Sequence, residues 1–260
     1  MIDYHCHILP ALDDGCHTVE ESVAMARRLV AAGVSRVYCT PHCISGLYDF
    51  SAEQVRAAVA ALQQVFDVEG IPLLLETGME YYLDDFFPDR LEQPMTLGKT
   101  NLLLFELPSS ADARMLPEAA RAIKKRGLTP LLAHPERYFA GARQQQGVAD
   151  FVHSCLNRLS PRHESLNPLP CALLEAMNLG CLLQADLGSF NGVYGLNVRR
   201  LASLFQEWGV YSCVGSDGHR PRQLEKILTN NLWLSGQSLE TRDIVTCGTG
   251  VDAAGLKGVF

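Results

Sequence analysis

No C-x-x-C pair occurs in this chain, although it carries nine cysteines. An odd count without paired spacing argues against a disulfide framework and fits free thiols in a reducing compartment. No apolar run is long enough to span a bilayer, and no cationic start leads into an apolar core. Neither a membrane span nor a secretory signal is therefore expected, and the expected location is cytoplasmic. Basic residues are also short: 22 Lys and Arg against 29 Asp and Glu leave a formal charge of −7. Non-specific nucleic-acid binding needs a basic face and is not expected. An anionic substrate stays open, because bound cations reverse a field locally. No internal repeat is seen. What remains is ordinary for a globular enzyme, with 47% hydrophobic and 20% charged residues in 260, enough to bury a full core.

Apolar runs alternate with amphipathic stretches along the chain. MIDYHCHI reads as a strand, and TVEESVAMARRLVAAG as a helix with Thr18 and Glu21 at capping-box spacing and Gly33 as its stop. VSRVYCTPH is the next strand; SAEQVRAAVAALQQVF is a helix with Ser51 and Gln54 at the same spacing. IPLLLETGMEYY, NLLLFELP, LTPLLAHPER, CLLQADLGSF and VYSCVGSDGH are further strands, with MLPEAARAIKKRG and GLNVRRLASLFQEWG as helices among them. Repeated strand–helix order implies an α/β fold with parallel strands and right-handed crossovers. About seven strands suggest a barrel or a long open sheet. Residues 158–170, RLSPRHESLNPLP, read as a loop insertion, and about 232–260 as an irregular tail.

Polar residues gather where the strands stop. His5 and His7 are one residue apart, so on a strand they share a face, with Cys6 opposite. Asp13 and Asp14 follow before a glycine. His42 ends TPH; Glu80, Glu106 and His134 follow other apolar runs; Asp217 and His219 form a D-x-H pair. In a parallel α/β barrel those ends form one rim. Carboxylates crowded there repel one another unless cations compensate. A multinuclear metal centre supplies the compensation. Nitrogen and hard oxygen donors without a thiolate set favour manganese, iron or zinc.

The ordered set HCHILPALDDG, TPH, GME, LFELP, HPER and GSDGH resembles the PHP (polymerase and histidinol phosphatase) superfamily. It is most similar to the bacterial manganese-dependent protein-tyrosine phosphatases of capsule and exopolysaccharide operons. The resemblance runs from residue 1 to about 225. It implies a distorted (β/α)7 TIM-like barrel, one phosphatase domain over residues 1–260, and three Mn²⁺ ions, with Fe or Zn as alternatives. It implies that His5, His7, Glu80 and Asp217 hold the first metal, and that Glu80, Glu106 and His134 hold the second. Asp14, His42 and His219 would hold the third, with Asp13 as the alternative to Asp14. Arg137 in HPER matches the arginine used on phosphate. A second arginine is expected at Arg222, with Arg220 as the alternative. QADLGSFNGVYG matches a further block, expected as a loop beside the substrate. The implied partner is the phosphotyrosine-bearing tail of a bacterial tyrosine kinase that regulates polysaccharide export; the oligomeric state is left open.

A thiolate phosphatase is excluded, because that loop needs an arginine six residues after the cysteine. Leu12 and Asp49 stand at that offset from Cys6 and Cys43. A histidinol-phosphate phosphatase would keep the metal set, but that branch commonly has histidine where Asp13–Asp14 stand here. A non-catalytic scaffold would show loss of a ligand or of Arg137, and neither is lost.

Overall fold

The computed structural model describes residues 1–108, 111–141 and 168–229. Among these, in chain order, lie β1 (Ile2–Cys6), α1 (Val19–Ala31), β2 (Arg36–Cys39), β3 (His42–Cys43), α2 (Ala52–Val68) and β4 (Leu74–Thr77). Then come β5 (Glu80–Tyr82), α3 (Phe87–Arg90), β6 (Leu102–Glu106), α4 (Met115–Lys125), β7 (Thr129–Ala133) and α5 (Pro135–Gly141). The last are α6 (Pro168–Asn178), β8 (Leu182–Asp186), α7 (Leu187–Phe190), α8 (Leu196–Glu207), β9 (Cys213–Gly215) and α9 (Pro221–Leu228). None of these helices is long and apolar enough to cross a membrane.

Every strand pair is parallel, as the strand–helix alternation predicts. β1, β2 and β4 form one sheet; β3, β5, β6, β7, β8 and β9 form a second. The two meet where the Asp217 N–H donates to the His5 carbonyl (2.8 Å) and the His7 N–H to the Gly218 carbonyl (3.0 Å). The result is a curled parallel sheet with helices packed against it.

Two stretches read as single strands are each split. Pro41, without an N–H, separates β2 from β3, and Gly78–Met79 separates β4 from β5. At Gly78 a Cβ would lie 2.7 Å from the buried Leu97 side chain, so a larger residue would have to push that side chain aside. Both breaks fall on neighbouring strands, and directly after them His42 and Glu80 stand opposite each other in register. The double break turns these two side chains toward a common point.

The helices begin as their sequences predict. Ser51 and Gln54 form a reciprocal capping box on α2. On α1 only half of the box forms: Thr18 caps Glu21, while the Glu21 carboxylate takes the His17 N–H (2.7 Å). Phe66, Leu29, Phe105 and Phe205 are fully or almost fully buried in the main core between helices and sheet. A smaller cluster, including Leu102, Leu104, Leu131 and Cys213, packs apart from it. On β6 the alternation Leu102, Leu104, Glu106 ends that apolar face on a carboxylate. Of the expected insertion, residues 158–167 lie outside the described residues, as does the 232–260 tail. Pro168–Pro170, read as part of the loop, instead open α6.

Candidate metal centre

The C-terminal strand ends deliver the polar residues, as in other parallel α/β folds. His5 lies in β1 and His7 just beyond it. Their placement depends on a bulge: Asp3 pairs with Val37 and Cys6 with Cys39, so β1 carries one extra residue. Past this bulge the one-face logic holds, and Cys6 packs into the main core. His134 and Asp217 follow β7 and β9 with φ of 32° and 47°. This left-handed backbone costs a non-glycine residue on the order of 1 kcal/mol or more and marks sites where geometry is over-determined.

The expected ligands come together. Glu80 Oε2 lies 3.1 Å from His5 Nε2, 3.4 Å from His7 Nε2 and 3.0 Å from His42 Nδ1. Asp217 Oδ1 lies 3.3 and 3.1 Å from the same His5 and His7 nitrogens. Glu106 Oε1 is 3.1 Å from His42 Nδ1, and His134 Nε2 is 3.1 Å from Glu80 Oε1. Asp14 Oδ1 faces His42 Nε2 at 3.6 Å and His219 Nε2 at 3.4 Å. Three groups of donor atoms result: His7, Asp14, His42 and His219; His5, Glu80, His134 and Asp217; and His42, Glu80 and Glu106. They differ from the sets implied by resemblance in three ways: His7 stands with the third set, His134 stands with His5 and Asp217 rather than with Glu106, and His42 stands also with Glu80 and Glu106.

Charge balance makes this cluster unusual. Glu80 is 0% and Asp217 2% exposed, so neither charge is solvated by bulk water. Burial alone would raise both carboxyls; His5 and other cationic groups instead hold them well below the usual carboxylate range. Burial would lower His5, but Glu80 and Asp217 push it up to about 9. His42 is likewise pushed up to about 10 by Glu80 and Glu106 against the cost of burial. Without a metal, protons on histidine and the Arg137 guanidinium beside Asp217 are the available counter-ions. Even so, Glu80 Oε2, Asp217 Oδ1 and His42 Nδ1 are buried with no hydrogen-bond partner. Their neighbours lie close but off the hydrogen-bond line. Converging, unpartnered lone pairs of nitrogen and oxygen fit a divalent metal, which would replace those protons.

The outer contacts point the same way. His5 Nδ1 donates to Gln184 Oε1 (3.1 Å), His7 Nδ1 to Asp13 Oδ2 (2.6 Å) and His219 Nδ1 to the Asp217 carbonyl (2.9 Å). In the neutral imidazole each contact leaves Nε2 with its lone pair toward the cluster, the usual arrangement behind metal-ligating histidines. Asp13 and Asp14 thereby separate. Asp13 orients His7 and also accepts the His42 and Gly15 N–H groups, whereas Asp14 faces the cluster.

Arg137, on the first turn of α5, pairs with Asp217 and lies 3.4 Å from Asp186. Arg220 follows His219 directly and donates to Glu21 (2.9 Å). Arg222 is exposed and makes no hydrogen bond or ion pair among the described residues. A cavity of about 340 Å³ opens beside Glu106, His134 and Arg137, walled by Tyr82, Leu107, Pro108 and Tyr138.

QADLGSFNGVYG is not a loop at its start. Gln184–Asp186 end β8, and Asp186 caps the single turn α7. Sequence reasoning missed the roles of Gln184 and Asp186, although polar residues at i and i+2 closing an otherwise apolar strand were a usable signal. Gly215 is required on β9, because a Cβ there would lie 2.4 Å from His5 Cβ and 2.8 Å from Gln184 Nε2. Gly215→Ala is therefore expected to destabilise the fold by about 1–3 kcal/mol and to weaken metal binding. Thermal melts with and without added divalent metal check this; an unchanged melting temperature and unchanged metal response would refute it.

The model of the family described as capsular polysaccharide synthesis, CpsB/CapC, matches residues 1–156. The chain is 28% identical over 221 residues to tyrosine-protein phosphatase YwqE of Bacillus subtilis, covering 84% of this chain and 77% of that protein. It is 27% identical over 166 residues to tyrosine-protein phosphatase CpsB of Streptococcus agalactiae, covering 63% of this chain and 68% of that one. A solved chain from the crystal structures of YwqE from Bacillus subtilis and CpsB from Streptococcus pneumoniae, metal-dependent tyrosine phosphatases, superposes with a TM-score of 0.73. That match has 26% identity and covers 93% of this chain and 89% of the other. By the family match and the shared fold, this chain belongs to the CpsB/CapC family of capsular polysaccharide synthesis.

Proposed function

We propose that the protein is a metal-dependent protein-tyrosine phosphatase acting on the phosphotyrosine tail of a bacterial tyrosine kinase in capsular polysaccharide synthesis. The observation that carries this reading is the convergence of Glu80 Oε2, Asp217 Oδ1 and His42 Nδ1, buried and unpartnered. By the resemblance, His5, His7, Glu80 and Asp217 would hold one ion, Glu80, Glu106 and His134 a second, and Asp14, His42 and His219 a third. The same nine side chains make up the three donor groups of the structure, with His7, His42 and His134 placed where neighbouring sets meet. Bound manganese, or iron or zinc, supplies Lewis acidity and a nucleophile at neutral pH. The names of YwqE and CpsB as tyrosine phosphatases support the substrate class.

The chain's own groups account for the rest. Arg137 brings a guanidinium to the phosphoryl oxygens, and its planar fork suits them. The cavity walls Tyr82, Leu107, Pro108 and Tyr138 offer an apolar bed for a phenyl ring beside that arginine. Asp13 and Gln184 keep the imidazoles turned. No thiol nucleophile is required: Cys6 is 0% exposed. Cys43 is pushed up to about 11 by burial. Between the two candidates for a second phosphate contact, Arg220 is ordered by Glu21 beside His219, while Arg222 is exposed; Arg220→Ala and Arg222→Ala distinguish them by KM.

The curled sheet is read as a distorted (β/α)7 barrel in which β2–β3 and β4–β5 each count as one strand. The hydrogen bonds between the ends of β1 and β9 support closure. Residues 1–260 are read as one domain, working in the cytoplasm.

The test is phosphate release from a phosphotyrosine peptide and from histidinol phosphate, with Mn²⁺ and an EDTA control. Chelator-sensitive turnover preferring the peptide is expected. Tyr82→Ala should reduce that preference several-fold by removing one wall of the ring pocket. Preference for histidinol phosphate would move the protein to the small-molecule branch, and no turnover with metal bound would make it a scaffold.

A further inference from the structure

We infer that Asp186 and Tyr194 are positioning residues that hold Arg137 ready for phosphate before substrate arrives. The inference rests on the phosphatase reading of Arg137 given above. Asp186 is 0% exposed. Burial and the neighbouring Asp217 push its carboxyl well above the usual carboxylate range, against the pull of Arg137, so its hold on Arg137 rests on where its oxygens are fixed. Its Oδ2 lies 3.4 Å from Arg137 Nη1, and its Oδ1 accepts the Gly188 N–H at 2.7 Å. Its own backbone N–H donates to Glu136 Oε1 (3.0 Å), and Glu136 Oε2 accepts the Tyr211 hydroxyl (2.9 Å). Successive residues of α5 thus grip one residue of β8 from two sides: Glu136 takes its backbone and Arg137 its side chain. On the other side of the guanidinium, the Tyr194 ring lies 4.4 Å from the Arg137 carbon Cζ, within cation–π range.

The packing leaves this arrangement little freedom. A Cβ on Gly188 would lie 2.9 Å from the Tyr194 ring and 3.2 Å from Asp186 Oδ1. The Tyr194 hydroxyl is buried beside Asp186 without a well-aligned hydrogen bond, so the ring over the guanidinium is its main contact with Arg137. A free arginine side chain loses rotamer freedom when it binds phosphate, and ordering it in advance removes that cost from binding. Asp217 adds the link to the metal cluster: one oxygen pairs with Arg137 while the other faces His5 and His7. The segment QADLGSFNGVYG therefore supports both His5, through Gln184, and Arg137, through Asp186 and Tyr194.

The experiment uses the full chain loaded with manganese, measuring inorganic phosphate affinity by calorimetry, KM and kcat on a phosphotyrosine peptide, and bound manganese. Asp186→Asn keeps an oxygen for the Gly188 N–H but turns an amide NH₂ toward Arg137 in place of the carboxyl oxygen. It is expected to weaken phosphate and raise KM about tenfold, the ordering cost of one long side chain, with kcat within about twofold and manganese content unchanged. Tyr194→Ala should act in the same direction, and Tyr194→Phe, which keeps the ring over the guanidinium, should lose less affinity than Tyr194→Ala; this keeps the inference testable if Asp186→Asn does not fold. Unchanged phosphate affinity in Asp186→Asn and Tyr194→Ala, with affinity lost in Arg137→Ala, would overturn the inference alone. Unchanged affinity in Arg137→Ala would overturn the phosphatase reading of that arginine and this inference together. Loss of manganese in Asp186→Asn would make Asp186 a support of the metal cluster and overturn its assigned role.

Discussion

Glu80→Gln is expected to reduce phosphotyrosine hydrolysis by at least about a thousandfold, a loss of about 4 kcal/mol of transition-state stabilisation. Glu80 is the hub of the site. Its two oxygens face His5, His7, His42 and His134, and its buried charge helps to hold the donor set together. Glutamine keeps the volume but removes the anion and aims N–H donors at imidazole nitrogens. Bound metal should fall in step with turnover, while circular dichroism stays that of the parent. Turnover within tenfold of the parent, at equal metal content, would remove Glu80 from the centre of the account.

The second large effect concerns Arg137→Ala. Removing one preorganised donor from a site of this kind typically costs about 10²–10³ in rate, and a loss of that order is expected here with metal content retained. Lysine should not restore activity, because a point charge cannot meet Asp217, Asp186 and a phosphoryl group at once as the guanidinium fork can. Full rescue by Arg137→Lys would show that only the charge matters.

Much of this was legible from local pattern. Buried parallel strands read as apolar runs, and the caps at Thr18 and Ser51 are set by residues three positions apart. The histidines and carboxylates at strand ends were visible because each follows an apolar run, and a parallel fold gathers such ends on one rim. What was not legible depends on distant partners. Gln184 meets His5 across 179 positions of sequence, and Arg137 meets Asp217 across 80. Neither local propensity nor periodicity encodes such a pair. The β1 bulge and the paired breaks at Pro41 and Gly78 were missed for a related reason: they are set by how neighbouring strands fit, not by one strand's alternation. Asp13 and Asp14 were equivalent in sequence, and only the position of His7 distinguishes them.

The most direct measurement is phosphotyrosine-peptide turnover by protein stripped with chelator, verified metal-free, and then titrated with Mn²⁺. The metal-centre account predicts no turnover in the stripped protein and recovery in proportion to bound metal. Undiminished turnover by metal-free protein would contradict it, and would require a nucleophile from the protein itself.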